Sequence, residues 1–250
     1  MPKPSAKPLR TNRRRRRRMI ITIDGPAGVG KSTTARLLAK RLGLLYLDTG
    51  ATYRTLAYAT LERGIDPRQA ERVAAMIPGL KLRLRQSAAG ELSVWLDGQD
   101  VTRAIRSERV TEAAATIAQH PAVREAMVCL QRRLARGQSI VAEGRDTGSV
   151  VFPNATHKFF LTANPLIRAQ RRRRELLQLH GKAPAFQTLV RQLTARDRLD
   201  RTRAIGPLIR PEGSIHVDTT KARAGRVVEQ ILDAVTGPSG ARRQAYRGRG

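Results

Sequence analysis

Short apolar runs alternate with helical periods along most of this chain. "MIITID" (19–24) reads as a buried strand closed by a Gly-rich turn, and the apolar spacing that follows predicts a helix from about Ser32 to Leu42. "LLYLD" (44–48) is a second strand, followed by a helix from about Thr52 to Arg63. "SIVAEG" (139–144), "HKFFLTA" (157–163) and "SIHVDTT" (214–220) supply three more strands. Asn164 caps a helix with Pro165 at its first position, and a last helix ends near Val235. Strands alternating with helices predict an α/β fold, a parallel five-stranded sheet flanked by helices on both faces.

One stretch breaks that rhythm. "LKLRLRQSAAGELSVWLDGQDVT" (about 80–102) alternates with period two on both sides of a Gly-containing turn, the pattern of an antiparallel hairpin. It is expected to be an insertion into the α/β body, with Trp95 in the insertion's own core and not a platform for stacking bases.

Charge changes the picture at the ends. The 250 residues carry 48 Lys and Arg against 20 Asp and Glu, a formal charge of +28. Nine of these cations stand in residues 1–18 and four in residues 237–250, with no acid in either segment. Both segments read as disordered basic extensions, an arm and a tail, and any nucleic-acid contact is expected through them. Translation from Met19 would remove the arm altogether. Without these thirteen the body still carries 35 cations against 20 anions. It therefore faces anionic partners in its own right.

Other classes lose ground. No apolar run approaches a membrane span, and no signal-peptide core follows the basic N-terminus, so the expectation is a cytoplasmic protein. The single cysteine, Cys129, forms no intrachain disulfide and is expected to be a buried packing thiol. His120, His157, His180 and His216 have no metal-ligand spacing.

The turn after the first strand carries the chemistry. Gly25-Pro26-Ala27-Gly28-Val29-Gly30-Lys31-Ser32, continued by Thr33, fits G-x-x-x-x-G-K-[ST] between a strand and a helix. Such a loop turns backbone N–H groups onto phosphate oxygens at a helix N-terminus. Lys31 adds a mobile charge for the β- and γ-phosphates of ATP, and the Ser32 hydroxyl can ligate Mg²⁺. Transfer to water calls for a residue that orients it, and transfer to a hydroxyl calls for a base. Transfer to an acceptor that is already a phosphate needs neither, because the obstacle is repulsion between anions. Arginine clusters answer that need: Arg54 in "GATYR", Arg145 in "GRD", "RAQRRRR" (168–174) and "ARDRLDRTR" (195–203). Arg54 and Arg145 each stand beside a Gly turn at a strand end, where ligand sites of such sheets lie. Arg196, Asp200 and Arg203 are spaced to share one helical face.

The phosphate loop, "LDTGATYR", "VAEGRDTGSVVFP", "RAQRR" and "ARDRLDRTRA", in this order, resemble bacterial-type cytidylate kinases over about residues 19–235. "GRDxG" combined with "RDxxDRxRA" separates the chain from adenylate, guanylate and shikimate kinases. The resemblance implies a P-loop nucleoside monophosphate kinase fold over 19–236, with a β-rich acceptor-binding insertion and a helical lid at about 168–190. It implies a Mg²⁺-dependent monomeric enzyme that takes ATP and CMP or dCMP. Thr49 matches a position near the acceptor, and Arg54, Arg145 and Arg203 match arginines that hold its phosphate. Arg124 and Asp146 match readers of the cytosine ring, and Arg196 and Asp200 match a pair around the sugar. Arg171 and Arg172 match lid arginines that reach the phosphates on closure. Ala115 stands where the family commonly has a serine that contacts the nucleoside, and Glu143 where some members have Asp. The departure at Ala115 keeps a kinase acting on UMP or another small acceptor in view. A nucleic-acid-binding P-loop ATPase is the alternative from a different class.

Overall fold

The computed structural model describes residues 18–87 and 90–237, so that apart from Arg18 and Gly237 the basic arm and tail lie outside the described residues. Five strands form a parallel sheet in the order β2-β6-β1-β7-β8: β1 (Ile20–Asp24), β2 (Leu45–Asp48), β6 (Ile140–Gly144), β7 (His157–Thr162) and β8 (Ile215–Asp218). All five match the apolar runs of the sequence. They are read so easily because a parallel sheet covered on both faces needs continuous hydrophobic strands.

Helix α1 (Lys31–Leu42) and helix α8 (Ala224–Thr236) cover one face, burying Leu38, Val228 and Ile231 against Ile21, Ile23, Phe159 and Leu161. On the other face Val128 and Val151 pack on Leu47, Ile140 and Ala142. Helix α2 (Thr49–Glu62) starts three residues earlier than the sequence suggests, because the Asp48 side chain caps it by accepting from the Ala51 N–H at 2.7 Å. Gly50 is therefore helical, and no glycine turn separates β2 from Arg54.

The irregular stretch is an antiparallel sheet of β3 (Leu82–Gln86), β4 (Leu92–Leu96) and β5 (Gln99–Asp100). It packs into a separate apolar cluster with α2 and with three helices not predicted from the sequence, α3 (Ala70–Met76), α4 (Glu108–Ile117) and α5 (Pro121–Leu134). Its inward residues are Leu82, Val94 and Leu96. Trp95 points to the opposite, half-exposed face, where the Arg85 guanidinium lies 4.6 Å from its ring centroid. Expectation and structure differ here because neighbours on a strand alternate faces. Cys129 also differs: it is exposed on α5. The buried stripe of that helix is Val123, Arg124, Met127, Val128, Leu130 and Gln131, and Cys129 falls outside it although its neighbours in sequence are apolar.

Helices α6 (Pro165–His180) and α7 (Phe186–Thr202) form the remaining wall. Asn164 caps α6 by accepting from the Leu166 N–H at 2.9 Å. Among the described residues no helix is long and apolar enough to cross a membrane.

Candidate active site

The carboxyl ends of β1, β2, β6 and β8 open into one cleft of about 1140 Å³, roomier than a single nucleotide requires. It runs from the phosphate loop past Arg54, Arg145 and Asp146 to the loop after β8, with Arg172 and Arg196 on the α6–α7 side.

The phosphate loop begins at Gly25, whose φ of +148° and distance of 2.2 Å from a notional Cβ to the Leu161 carbonyl oxygen admit no side chain. Ala27, Gly28, Val29, Gly30, Lys31, Ser32 and Thr33 line the cleft, while the Pro26 carbonyl accepts from the Lys31 ammonium at 2.7 Å. Lys31 is 5% exposed. Burial and the nearby Arg145 lower its pKa to about 7, against the pull of Glu143, Asp24 and Asp200. Among the described residues no carboxylate lies within ion-pair distance of this ammonium, so the nearby acids act on it only from further off.

Opposite the loop stands a chain of alternating charges. Arg124 pairs with Asp146, and Asp146 lies 3.5 Å from Arg203. Arg203 is 3.4 Å from Asp200, and Asp200 is 2.9 Å from Arg145. Burial alone would raise the Asp200 carboxyl, yet Arg145, Arg203 and Arg196 hold it below the ordinary carboxylate range. Arg203 does not continue α7. It leaves the helix with extended backbone and donates from Nε to the Gly206 carbonyl, which turns its guanidinium inward to 9% exposure. Arg196 touches the water of the open cleft but is hemmed in by protein; that partial burial, then Arg145, lowers its pKa to about 10. Arg54 is held at 3.0 Å by the Asp48 carboxylate. The Nε of Arg54 and the Nε of Arg124 are buried without a hydrogen-bond partner, and the terminal nitrogen of Arg203 that faces Asp146 is held by charge at 3.5 Å and makes no hydrogen bond.

A second carboxylate cluster sits beneath Ser32. Glu143, at the end of β6, accepts from the Tyr46 hydroxyl at 2.8 Å, and its backbone carbonyl accepts from the Thr49 hydroxyl at 2.7 Å. Burial and the neighbouring Asp48 push the Glu143 carboxyl up, with Lys31 pulling it down. No group of three or more His, Cys, Asp or Glu among the described residues could hold a metal by itself. The Ser32 hydroxyl beside this anion-rich pair nevertheless suits a hard, oxygen-seeking Mg²⁺ that keeps part of its water.

The sequence-derived residues therefore converge, with a division of labour among the arginines of "RAQRRRR". Arg172 lines the cleft beside Glu175, with 2.9 Å between their charges. Arg171 donates to the Thr219 hydroxyl at 3.0 Å and the Thr219 carbonyl at 2.7 Å. Arg168 is buried, bonded to Asp197 of α7 and, at 3.1 Å, to the Ala27 carbonyl of the phosphate loop. Ala115 faces the cleft, whereas the Thr116 hydroxyl donates back to the Glu112 carbonyl and replaces nothing there.

The sequence reading missed several contributors: Asp24, Asp48, Tyr46, the Arg168–Asp197 clamp, and Tyr53, whose ring lies 5.7 Å from the Arg124 guanidinium. Asp48 alone left a signal, an Asp three residues ahead of the N–H that it caps.

The sequence as a whole is similar to known proteins. The family model described as cytidylate kinase matches residues 21–237. A cytidylate kinase of Pelotomaculum thermopropionicum is 46% identical over 216 residues, 86% of this chain and 95% of that protein. One from Geobacillus sp. (strain WCH70) is 41% identical over 88% of this chain and 97% of its own. A bifunctional pantoate ligase/cytidylate kinase of Synechococcus sp. (strain CC9311) is 43% identical, and the chain spans 43% of its length. With nearly the whole sheet and both sides of the cleft inside these matches, the chain belongs to the cytidylate kinase family.

Proposed function

We propose that this protein transfers the γ-phosphoryl group of ATP to CMP or dCMP, giving ADP and CDP or dCDP. The observation that carries the reading is the Arg124–Asp146–Arg203–Asp200–Arg145 chain standing across one cleft from the phosphate loop. Arg54, Arg145 and Arg203 hold the acceptor phosphate, and Thr49 flanks it. Arg196 and Asp200 hold the sugar. Asp146 accepts from the exocyclic amine of cytosine and Arg124 donates to its ring acceptors, whereas uracil would set a carbonyl against the Asp146 carboxylate. Lys31, with Arg145, Arg171 and Arg172, stabilises the charge spread over the transferring phosphoryl group.

Mg²⁺, when bound with ATP, neutralises phosphate charge, and Ser32 directly and Glu143 through water are the residues that would hold it. The residues about 168–190 act as the lid, and their closure excludes water that would otherwise hydrolyse ATP. A monomer working in the cytoplasm belongs to the same reading. The alternative of a nucleic-acid-tracking ATPase is disfavoured because these arginines are turned inward and interleaved with carboxylates, where a polymer backbone cannot lie.

An acceptor panel of CMP, dCMP, UMP, AMP, GMP and shikimate, with ATP and Mg²⁺ in a coupled assay, tests the reading. CMP and dCMP are expected to lead, with UMP behind them. A lead by AMP, GMP or shikimate, or ATP consumption that follows added RNA instead of any acceptor, would overturn it.

The state of Lys31 gives a second expectation. In the free protein its pKa of about 7 leaves much of it uncharged at pH 8, and bound phosphates raise that pKa again. ATP binding at pH 8 without divalent cation should therefore take up protons. Calorimetry should then give a more positive apparent enthalpy in a buffer of high ionisation enthalpy. Equal enthalpies across buffers would contradict this assignment.

A further inference from the structure

We propose that Asp24 is a positioning residue that ties the turn bearing Arg145 and Asp146 to the start of the phosphate loop, and so sets acceptor recognition in register with Lys31. This rests on the acceptor roles given to those residues above. Asp24 is the last residue of the central strand, fully buried, paired in register with Gly144 of β6 and Phe160 of β7. Gly25 follows at once, so its backbone fixes where the phosphate loop departs.

Its side chain reaches the other way. One carboxylate oxygen accepts from the Thr147 N–H at 2.8 Å and the Thr147 hydroxyl at 2.7 Å. The other accepts from the Gly148 N–H at 2.7 Å. These donors open a single π-helical turn, Thr147–Val151, an uncommon local geometry that recurs at functional sites. The same turn holds Asp146 from its other side: the Asp146 carbonyl accepts from Val150 N–H at 2.9 Å and Val151 N–H at 3.2 Å. Gly148 permits the approach, since a Cβ there would lie 2.7 Å from the Thr22 hydroxyl and 3.1 Å from an Asp24 oxygen. One carboxylate thus anchors the backbone between the acceptor-reading side chains and the strand that carries the donor loop. Asp24 touches neither nucleotide in this scheme, and it acts through Arg145 and Asp146.

Asp24→Asn keeps the volume but sets an amide N–H against one of the three donors. Thr147→Val removes only the hydroxyl. Steady-state kinetics of wild type and both variants, with ATP and Mg²⁺, are read as separate KM values for CMP and ATP and as the CMP:UMP ratio of kcat/KM. For Asp24→Asn the CMP KM should rise about tenfold, the ATP KM should stay within about twofold, and the CMP:UMP preference should fall about tenfold. Thr147→Val should move the same quantities in the same direction by about threefold. A parallel rise in both KM values, or an unchanged CMP:UMP ratio, would overturn the proposal. Should Asp24→Asn lose its far-UV circular dichroism, Thr147→Val decides on the same criteria. The comparison uses whichever acceptor the wild-type protein turns over best. A failure of the CMP reading therefore appears in wild type, and a failure of the positioning role appears in the variants.

Discussion

Replacing Lys31 with methionine should lower kcat by roughly two to three orders of magnitude, the loss typical when one preorganised donor to developing charge is removed. The CMP KM should change little, because in the proposed reading Lys31 serves the donor phosphates and the acceptor arginines remain. The same substitution should leave the fold intact and raise the melting temperature. Burial and Arg145 depress the Lys31 pKa, so the folded state carries a penalty for the charged form. That penalty is full below the depressed value and disappears only above the ordinary lysine range. Methionine fills the same space without it. Coupled-assay kinetics and thermal unfolding at neutral pH test both parts. Unaltered turnover would remove Lys31 from the chemistry, and a clear fall in melting temperature would contradict the account of its burial.

Asp197→Ala is expected to have the largest effect on stability. It strips the partner from Arg168, a buried guanidinium that keeps only the Ala27 carbonyl. Breaking a buried pair on one side costs about 3–5 kcal/mol. For a domain of this size that corresponds to a fall in melting temperature of roughly 6–20 °C. Replacing both partners with apolar residues should recover much of the loss, since the uncompensated charge goes with the pair. A fall of less than about 2 °C for the single variant would show that Arg168 finds water on relaxation and that the clamp is dispensable. The contact also joins α6 and α7 to the phosphate loop, so under the proposed function its loss should be felt in ATP binding as well.

How far these features could be read in advance depends on their physical origin. The five strands and the phosphate loop were legible because each is local: continuous apolar runs, glycines at fixed offsets, and a Lys-Ser pair at a helix start. The cap at Asn164, followed by Pro165, was local too. Arg54, Arg145, Asp146, Arg196, Asp200 and Arg203 stand in ordered motifs and Arg124 rests on the family resemblance alone, and the cleft does gather them. What stayed hidden depends on which way a side chain turns. Cys129 lies one position off a buried stripe that includes the polar Arg124 and Gln131, the latter bonded to the Thr52 hydroxyl at 3.0 Å. Trp95 faces away from Val94 and Leu96 by the alternation of a strand. Arg168, Arg171 and Arg172 are alike in sequence, and only their packing separates a buried clamp, a rim contact and a cleft-facing charge. Asp24 gave no hint, because its three donors lie more than a hundred residues away.

The interleaved charges opposite the phosphate loop bear on how the protein behaves in salt. Arg124, Arg145 and Arg203 share Asp146 and Asp200, so the cluster carries one excess positive charge where three arginines alone would carry three. Few small anions need condense on it, and few are set free when a nucleotide enters. Recognition in the cleft is thereby insulated from the ionic medium, whereas the strongly basic remainder of the chain is left to feel it.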